Sequence, residues 1–206
     1  RGCDPKVFNM GSPNSEWLED WHNEFPQTKN KIILTLPTRI SQWKGVDSFI
    51  ELIASLNDMN FHALVVGPTS RKKQRYLSEL KDKVDEKGIN NFITFTGSRN
   101  DISNIYKISD IVYNLSIKPE PFGRTTIEAL SSGAKVIGWN HGGTKEILEE
   151  LFPHGLVDLN DIDSLKSRTI EVSSKNFQSP KPNTFLSERM TDSTISLYQE
   201  LINKSL

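Results

Sequence analysis

From Lys31 onward, short β-branched runs alternate with longer amphipathic stretches. Ile32-Ile33-Leu34-Thr35-Leu36 is followed by helical spacing over residues 46–57, and Ala63-Leu64-Val65-Val66 by a charged helical stretch over 71–87. Continuous apolar runs of this length read as strands covered on both faces, and apolar positions three and four apart read as helices packed on them. The alternation continues through a strand Phe92-Ile93-Thr94-Phe95, a helix over 101–108 and a strand Ile111-Val112-Tyr113. It then gives a helix over 124–133, a strand Lys135-Val136-Ile137-Gly138-Trp139, a helix over 144–150, a short strand at Leu156-Val157 and a helix over 161–172. Gly133 has the position of a helix C-terminal cap. A last helix is expected over 184–201, after the break at Pro180-Lys181-Pro182. Six strands with helices between them predict an α/β fold of the Rossmann-like, doubly wound kind, about six parallel strands with flanking helices.

Residues 1–30 lie outside the repeat and carry Pro5, Pro13 and Pro26, with room for a small helix over 15–21. Trp17 and Trp21 stand one helical turn apart, a spacing expected of packing residues. The expected organisation is a lead-in linker over 1–30 and one domain over 31–206.

Composition narrows the function classes. At 206 residues and 35% hydrophobic content the chain can bury one sizeable core. Lys plus Arg number 25 against 26 Asp plus Glu, which leaves no field to attract a polyanion, so nucleic acid is not an expected partner. Cys3, the single cysteine, cannot form an internal disulfide and is expected as a small buried residue in a reducing, cytoplasmic setting. With four scattered histidines it makes no metal-ligand cluster. No apolar stretch approaches the roughly 20 residues of a membrane span, and Arg1-Gly2-Cys3-Asp4-Pro5 lacks a signal peptide's apolar core. The expectation is a soluble product, processed or excised, since the chain opens without methionine.

Ligands of parallel sheets lie beyond the carboxyl ends of the strands, and four loops there carry unusual residues. In Thr38-Arg39-Ile40-Ser41-Gln42-Trp43-Lys44-Gly45, two cations follow the first strand, where arginine can grip two oxygens of a diphosphate and lysine can act as a point charge. In Lys118-Pro119-Glu120-Pro121-Phe122-Gly123-Arg124-Thr125-Thr126-Ile127-Glu128, one carboxylate falls in a loop and the other in the second turn of a helix. Each carboxylate can accept from both hydroxyls of a vicinal diol, while amides near Gly123 and Arg124 offer donors at the helix amino end. Gly142-Gly143 permits close approach of a ligand or of another backbone. Phe95-Thr96-Gly97-Ser98-Arg99 can present backbone groups to a nucleobase. Taken singly, each segment is also compatible with solvated surface or a plain turn.

Together they carry a resemblance. The order Arg39, Lys44-Gly45, Gly67-Pro68, Phe95-Thr96-Gly97, Glu120 through Glu128 and Gly142-Gly143 resembles glycosyltransferase family 4 over nearly the whole chain. Its most specific piece is the Glu120/Glu128 pair inside Glu-Pro-Phe-Gly, followed by Ala129-Leu130 and Gly133. Thr38 replaces the glycine usual before the arginine, and Gly67-Pro68 lacks the fuller glycine-rich form. The resemblance implies the carboxyl-terminal, donor-binding half of a GT-B enzyme, a retaining hexosyltransferase whose first domain binds the acceptor. It implies that Arg39 and Lys44 hold the diphosphate of a UDP- or GDP-sugar in place of a metal, with no cofactor. Glu120 would hold the transferred sugar, Glu128 the ribose, and the backbone at Phe122 and Gly123 would position the sugar. Arg124, Thr126, Gly97, Ser98, Gly142 and Gly143 complete the implied donor site. The acceptor class stays open among lipid-linked glycans, other glycans and small molecules, with the whole protein at the cytoplasmic face of a membrane as one expectation. The half alone is expected to transfer no sugar.

The rival readings are a catalytically silent nucleotide-sugar-binding module, a GT-B epimerase and a phosphorylase. The first needs no sugar-contacting glutamate, and no phosphorylase cofactor lysine motif is present. Pro37-Thr38-Arg39-Ile40-Ser41-Gln42 offers none of the glycines of a dinucleotide fingerprint.

Overall fold

The computed structural model describes residues 2–56, 60–175, 177 and 184–204. Six strands, β1 (Ile32–Pro37), β2 (Phe61–Val66), β3 (Ile93–Gly97), β4 (Ile111–Asn114), β5 (Lys135–Trp139) and β6 (Leu156–Val157), form one sheet in the order β3-β2-β1-β4-β5-β6. Every neighbouring pair is parallel. The helices are α1 (Ser15–Glu24), α2 (Val46–Ser55), α3 (Gln74–Glu86), α4 (Ile102–Ile108), α5 (Arg124–Ser131), α6 (Gly142–Leu151), α7 (Ile162–Ser174) and α8 (Ser187–Lys204).

The strands read as unbroken apolar runs because both faces are covered. Successive side chains point to opposite faces. Leu34, Leu36, Ala63 and Val65 therefore join the larger core, while Ile33, Leu64 and Val66 join a second one with Trp21, Phe25 and Ile105. Trp21 is 1% exposed and donates to Thr28 at 3.0 Å, so the segment before β1 packs on the sheet through α1.

Several boundaries move for local reasons. β2 starts at Phe61 and buries His62, whereas Phe92 sits in a 3-10 turn and is 43% exposed. The last helix begins at Ser187, because Cys3 donates to Phe185 at 2.8 Å and accepts from Ser187 at 2.9 Å, which keeps the preceding residues extended. Cys3 is buried, as its size suggested, and burial pushes its thiol up. The Pro180-Lys181-Pro182 break and Asn57 lie outside the described residues. Among the described residues no helix is long and apolar enough to cross a membrane.

Strand order reverses between β1 and β4, so the loops leaving these two strands part to opposite faces and open a crevice at their carboxyl ends.

Candidate functional site

A cavity of about 660 Å³ fills that crevice, within the range of small-molecule sites. From the β1 side it is lined by Thr38, Arg39 and Lys44, and from the β4 side by Asn114, Ser116, Glu120, Arg124 and Thr125.

The β1 loop is fixed at several points. Thr38 donates to Val66 at 2.8 Å and Ile40 to Pro68 at 3.0 Å, which ties the loop to the end of β2. Ile117 donates to Trp43 at 2.8 Å, joining it to the loop after β4. The Trp43 ring lies 5.6 Å from the Arg39 guanidinium and 4.2 Å from the Lys44 ammonium, so one aromatic ring steadies both cations. Gly45 follows at φ +76°, and a Cβ there would lie 1.9 Å from the Leu115 carbonyl. Only glycine permits this turn to close against β4.

Opposite, Glu120 accepts from Lys44 and, at 2.6 Å, from the Ser116 hydroxyl. Burial alone would raise the Glu120 pKa, but Lys44, Ser116 and Asn114 together hold it below the ordinary value of 4.5. His141 donates through Nε2 to the Ser116 carbonyl at 2.7 Å, and Trp139 donates to the Leu115 carbonyl at 3.0 Å. The floor of the site thus rests on β5 and the residues after it.

The glycine pair serves this loop. α6 begins at Gly142, two residues before the expected start, and the Gly143 amide donates to the Glu120 carbonyl at 2.7 Å. A Cβ on Gly143 would meet the Phe122 carbonyl carbon at 2.4 Å. The close neighbour of these glycines is another backbone segment, one of the two uses their composition allowed. The Phe122 ring faces Phe185 edge-on at 6.2 Å, and Gly123 caps α5 with φ +82°.

Glu128 lies beside the cavity and does not line it. It is 8% exposed, and its Oε1 accepts from Arg124 Nε at 3.2 Å and Nη2 at 2.9 Å. Burial raises its pKa above the ordinary 4.5, an effect Arg124 offsets only in part. Thr126, expected near a diphosphate, does not line the cavity. It is fully buried at 0% exposure, its hydroxyl accepts from Asn114 at 3.2 Å, and Thr125 takes the lining position. Gly97 and Ser98 also stand away from the main cavity, and Gly97 borders a separate one of about 90 Å³ with Ile40, Gly67 and Phe95.

Thus Arg39, Lys44, Glu120 and Arg124 meet at one cavity. Ser116 and Asn114 were not anticipated; the only sequence signal was their place after an apolar strand. Chemically, three cations and a carboxylate around one crevice suit an anion attached to a polyol.

The family model described as "Glycosyl transferases group 1" matches residues 18–186. The mannosylfructose-phosphate synthase of Agrobacterium fabrum is 33% identical over 122 residues, which cover 56% of this chain and 26% of that protein. A glycosyltransferase structure from Rickettsia africae superposes with a TM-score of 0.89 at 26% identity, covering 98% of this chain and 56% of that one. Anabaena HepE, solved in complex with UDP-glucose, shares the fold with a TM-score of 0.79 at 23% identity, covering 100% of this chain and 56% of that one. The chain therefore spans only about a quarter of the curated relative and little more than half of each solved structure.

Proposed function

The chain belongs to the group 1 glycosyl transferases, and we propose that it is the donor-binding half of a retaining enzyme that moves a sugar from a UDP- or GDP-sugar to an acceptor hydroxyl. The observation that carries this reading is the meeting of Arg39, Lys44 and Glu120 at one cavity on the reversal point of the sheet. HepE's complex with UDP-glucose supports a nucleotide sugar as the ligand of such a cavity.

In this reading Arg39 and Lys44 neutralise the diphosphate as it leaves, and electrostatic stabilisation of that kind needs no divalent ion or other cofactor. Glu120, already ionised, accepts from hydroxyls of the transferred sugar once Lys44 turns to the phosphates. Glu128 accepts from the ribose through its second oxygen or after Arg124 swings toward the cavity. Arg124 is free to do so, its side chain being 71% exposed. The backbone at Phe122 and Gly123, braced by Gly142 and Gly143, positions the sugar. Gly97 and Ser98 contribute to the nucleobase side of the same ligand, away from the main cavity.

The acceptor side comes from an amino-terminal domain of the same protein, a reading supported by relatives that this chain covers only in part. Transfer by this half alone is expected to be absent. The lone cysteine supports a cytoplasmic setting, where the acceptor is a glycan, lipid-linked or soluble, or a small molecule.

Calorimetric titration with UDP, GDP and their sugar conjugates, with and without magnesium, tests the reading. Binding of one nucleotide regardless of magnesium, lost in Arg39→Ala, is the expected result. Nucleotide binding that requires magnesium, or that survives Arg39→Ala, would overturn it.

A further inference from the structure

A second cavity, of about 300 Å³, opens between the ends of β1 and β2 and is lined by Arg39, Ile40, Ser41, Pro68, Thr69, Ser70 and Lys73. Arg39 lines it and the larger cavity alike. No carboxylate is among its lining residues, which offer two cations, three hydroxyls and an apolar wall from Ile40 and Pro68.

Three further observations give it a sign. Arg71, Lys72 and Lys73 are consecutive cations, and none forms an ion pair among the described residues. Along α3 itself the pattern is the opposite, with Arg75 paired to Glu79 and Lys83 to Asp47 and Glu51. The unpaired run also stands at the amino end of α3, whose first turn carries no acidic residue. Cations at that end face the positive pole of the helix, an arrangement a bound anion would relieve. Finally, the Ser41, Thr69 and Ser70 hydroxyls have no hydrogen-bond partner among the described residues, and that of Ser41, on a residue 8% exposed, stays open to solvent and so to a ligand. The loops after β1 and β2 that carry these residues are held close together, since a Cβ on Gly67 would lie 2.0 Å from the Thr38 carbonyl oxygen.

We infer that this cavity is a second anion site, taking the phosphate monoester of a phosphorylated acceptor beside the donor cavity. Lys73 supplies the charge and Ser41 and Ser70 the hydrogen bonds, while Arg39 stands between the acceptor's phosphate and the donor's diphosphate. Holding the acceptor by its phosphate at the rim of the donor cavity keeps its hydroxyls within reach of the sugar. The word acceptor rests on the donor-binding function proposed above; the anion site itself does not.

The test saturates the chain with UDP and then titrates inorganic phosphate, glucose 6-phosphate or phosphatidylglycerol vesicles, following the backbone amides of Ser41, Ser70 and Lys73 by NMR. Inorganic phosphate and glucose 6-phosphate are expected to shift these amides saturably without displacing UDP. Lys73→Ala should weaken that binding by about tenfold while UDP affinity stays within about twofold. Ser70→Ala, a milder change, should weaken it in the same direction. Shifts that are missing, that compete with UDP, or that persist unchanged in Lys73→Ala would overturn the inference. So would Lys73-dependent binding to the vesicles without a response to either soluble phosphate. If UDP fails to bind but phosphate still shifts these amides, the donor reading falls and the anion site stands.

Discussion

Glu120 and Glu128 belong to one short segment yet sit in opposite electrostatic surroundings. Around Glu120 the protein has gathered a cation and a hydroxyl, so the carboxylate is ionised and engaged before any ligand arrives. Around Glu128 burial dominates and the one compensating partner, Arg124, is mostly solvent-exposed. The loop carrying Glu120 meets Lys44 of the loop after β1 across the crevice, whereas Glu128, in the second turn of α5, is met by Arg124 from its own helix. The difference teaches that matched carboxylates in a motif need not be matched chemically. In the proposed donor complex Glu120 would trade one partner for another, and Glu128 would gain one.

The largest expected effect comes from removing the support of the Glu120 side alone. Gly143→Val places a side chain where the Phe122 backbone runs, so the loop must shift. Stability should fall by about 3 kcal/mol, as overpacking against fixed backbone does, read as a lower urea midpoint with UDP-sugar binding lost. An unchanged midpoint would mean that the loop does not depend on α6. Next in size, Glu128→Ala should weaken UDP by about tenfold to a hundredfold, the range for losing hydrogen bonds to a charged group. UDP affinity equal to that of the unaltered chain would remove Glu128 from the ribose.

Smaller, and more telling for the comparison, is Glu120→Gln. Losing the carboxylate frees Lys44, so UDP alone should bind at least as tightly as before. The preference for UDP-sugar over UDP should shrink by about fivefold to tenfold, as one charge-assisted contact to the sugar is weakened. Parallel losses for UDP and UDP-sugar would show that Glu120 supports the pocket without touching the sugar.

The fold was legible because the sheet is parallel and its central strands are covered on both faces, which turns β1, β2, β4 and β5 into largely apolar runs that periodicity detects. Boundaries were less so: the start of α8 depends on Cys3 pairing with the chain near Leu186, a contact across the whole sequence. Arg39, Lys44 and Glu120 could be found because their loops leave the two strands at the reversal point. The choice of Thr125 over Thr126 at the cavity wall was not legible, since it turns on the rotation of α5 and on Asn114 reaching both hydroxyls. Ser116 left no mark of its own, because a lone serine after a strand is ordinary until the glutamate four residues later folds back onto it.

The smallest effect separates the two carboxylates by the sign of their pH dependence. Glu120 titrates below 4.5 in the folded chain, so its contribution to stability is complete above that pH and is lost as pH falls through its folded pKa. Glu128 titrates above 4.5 when folded, so the folded state holds its proton more tightly than the unfolded one, and stability drops as pH rises from 4.5 through its folded pKa. Glutamine mimics the protonated acid at either position. Glu120→Gln should therefore be less stable than the parent at neutral pH, with the gap closing in acid. Glu128→Gln should be slightly more stable at neutral pH, with its advantage also vanishing below 4.5. Urea midpoints of the three proteins across this range decide the matter: the two difference curves must approach zero from opposite sides. Curves of the same sign would mean that Arg124 compensates Glu128 as fully as Lys44 compensates Glu120, and the contrast between the two ends of the motif would collapse.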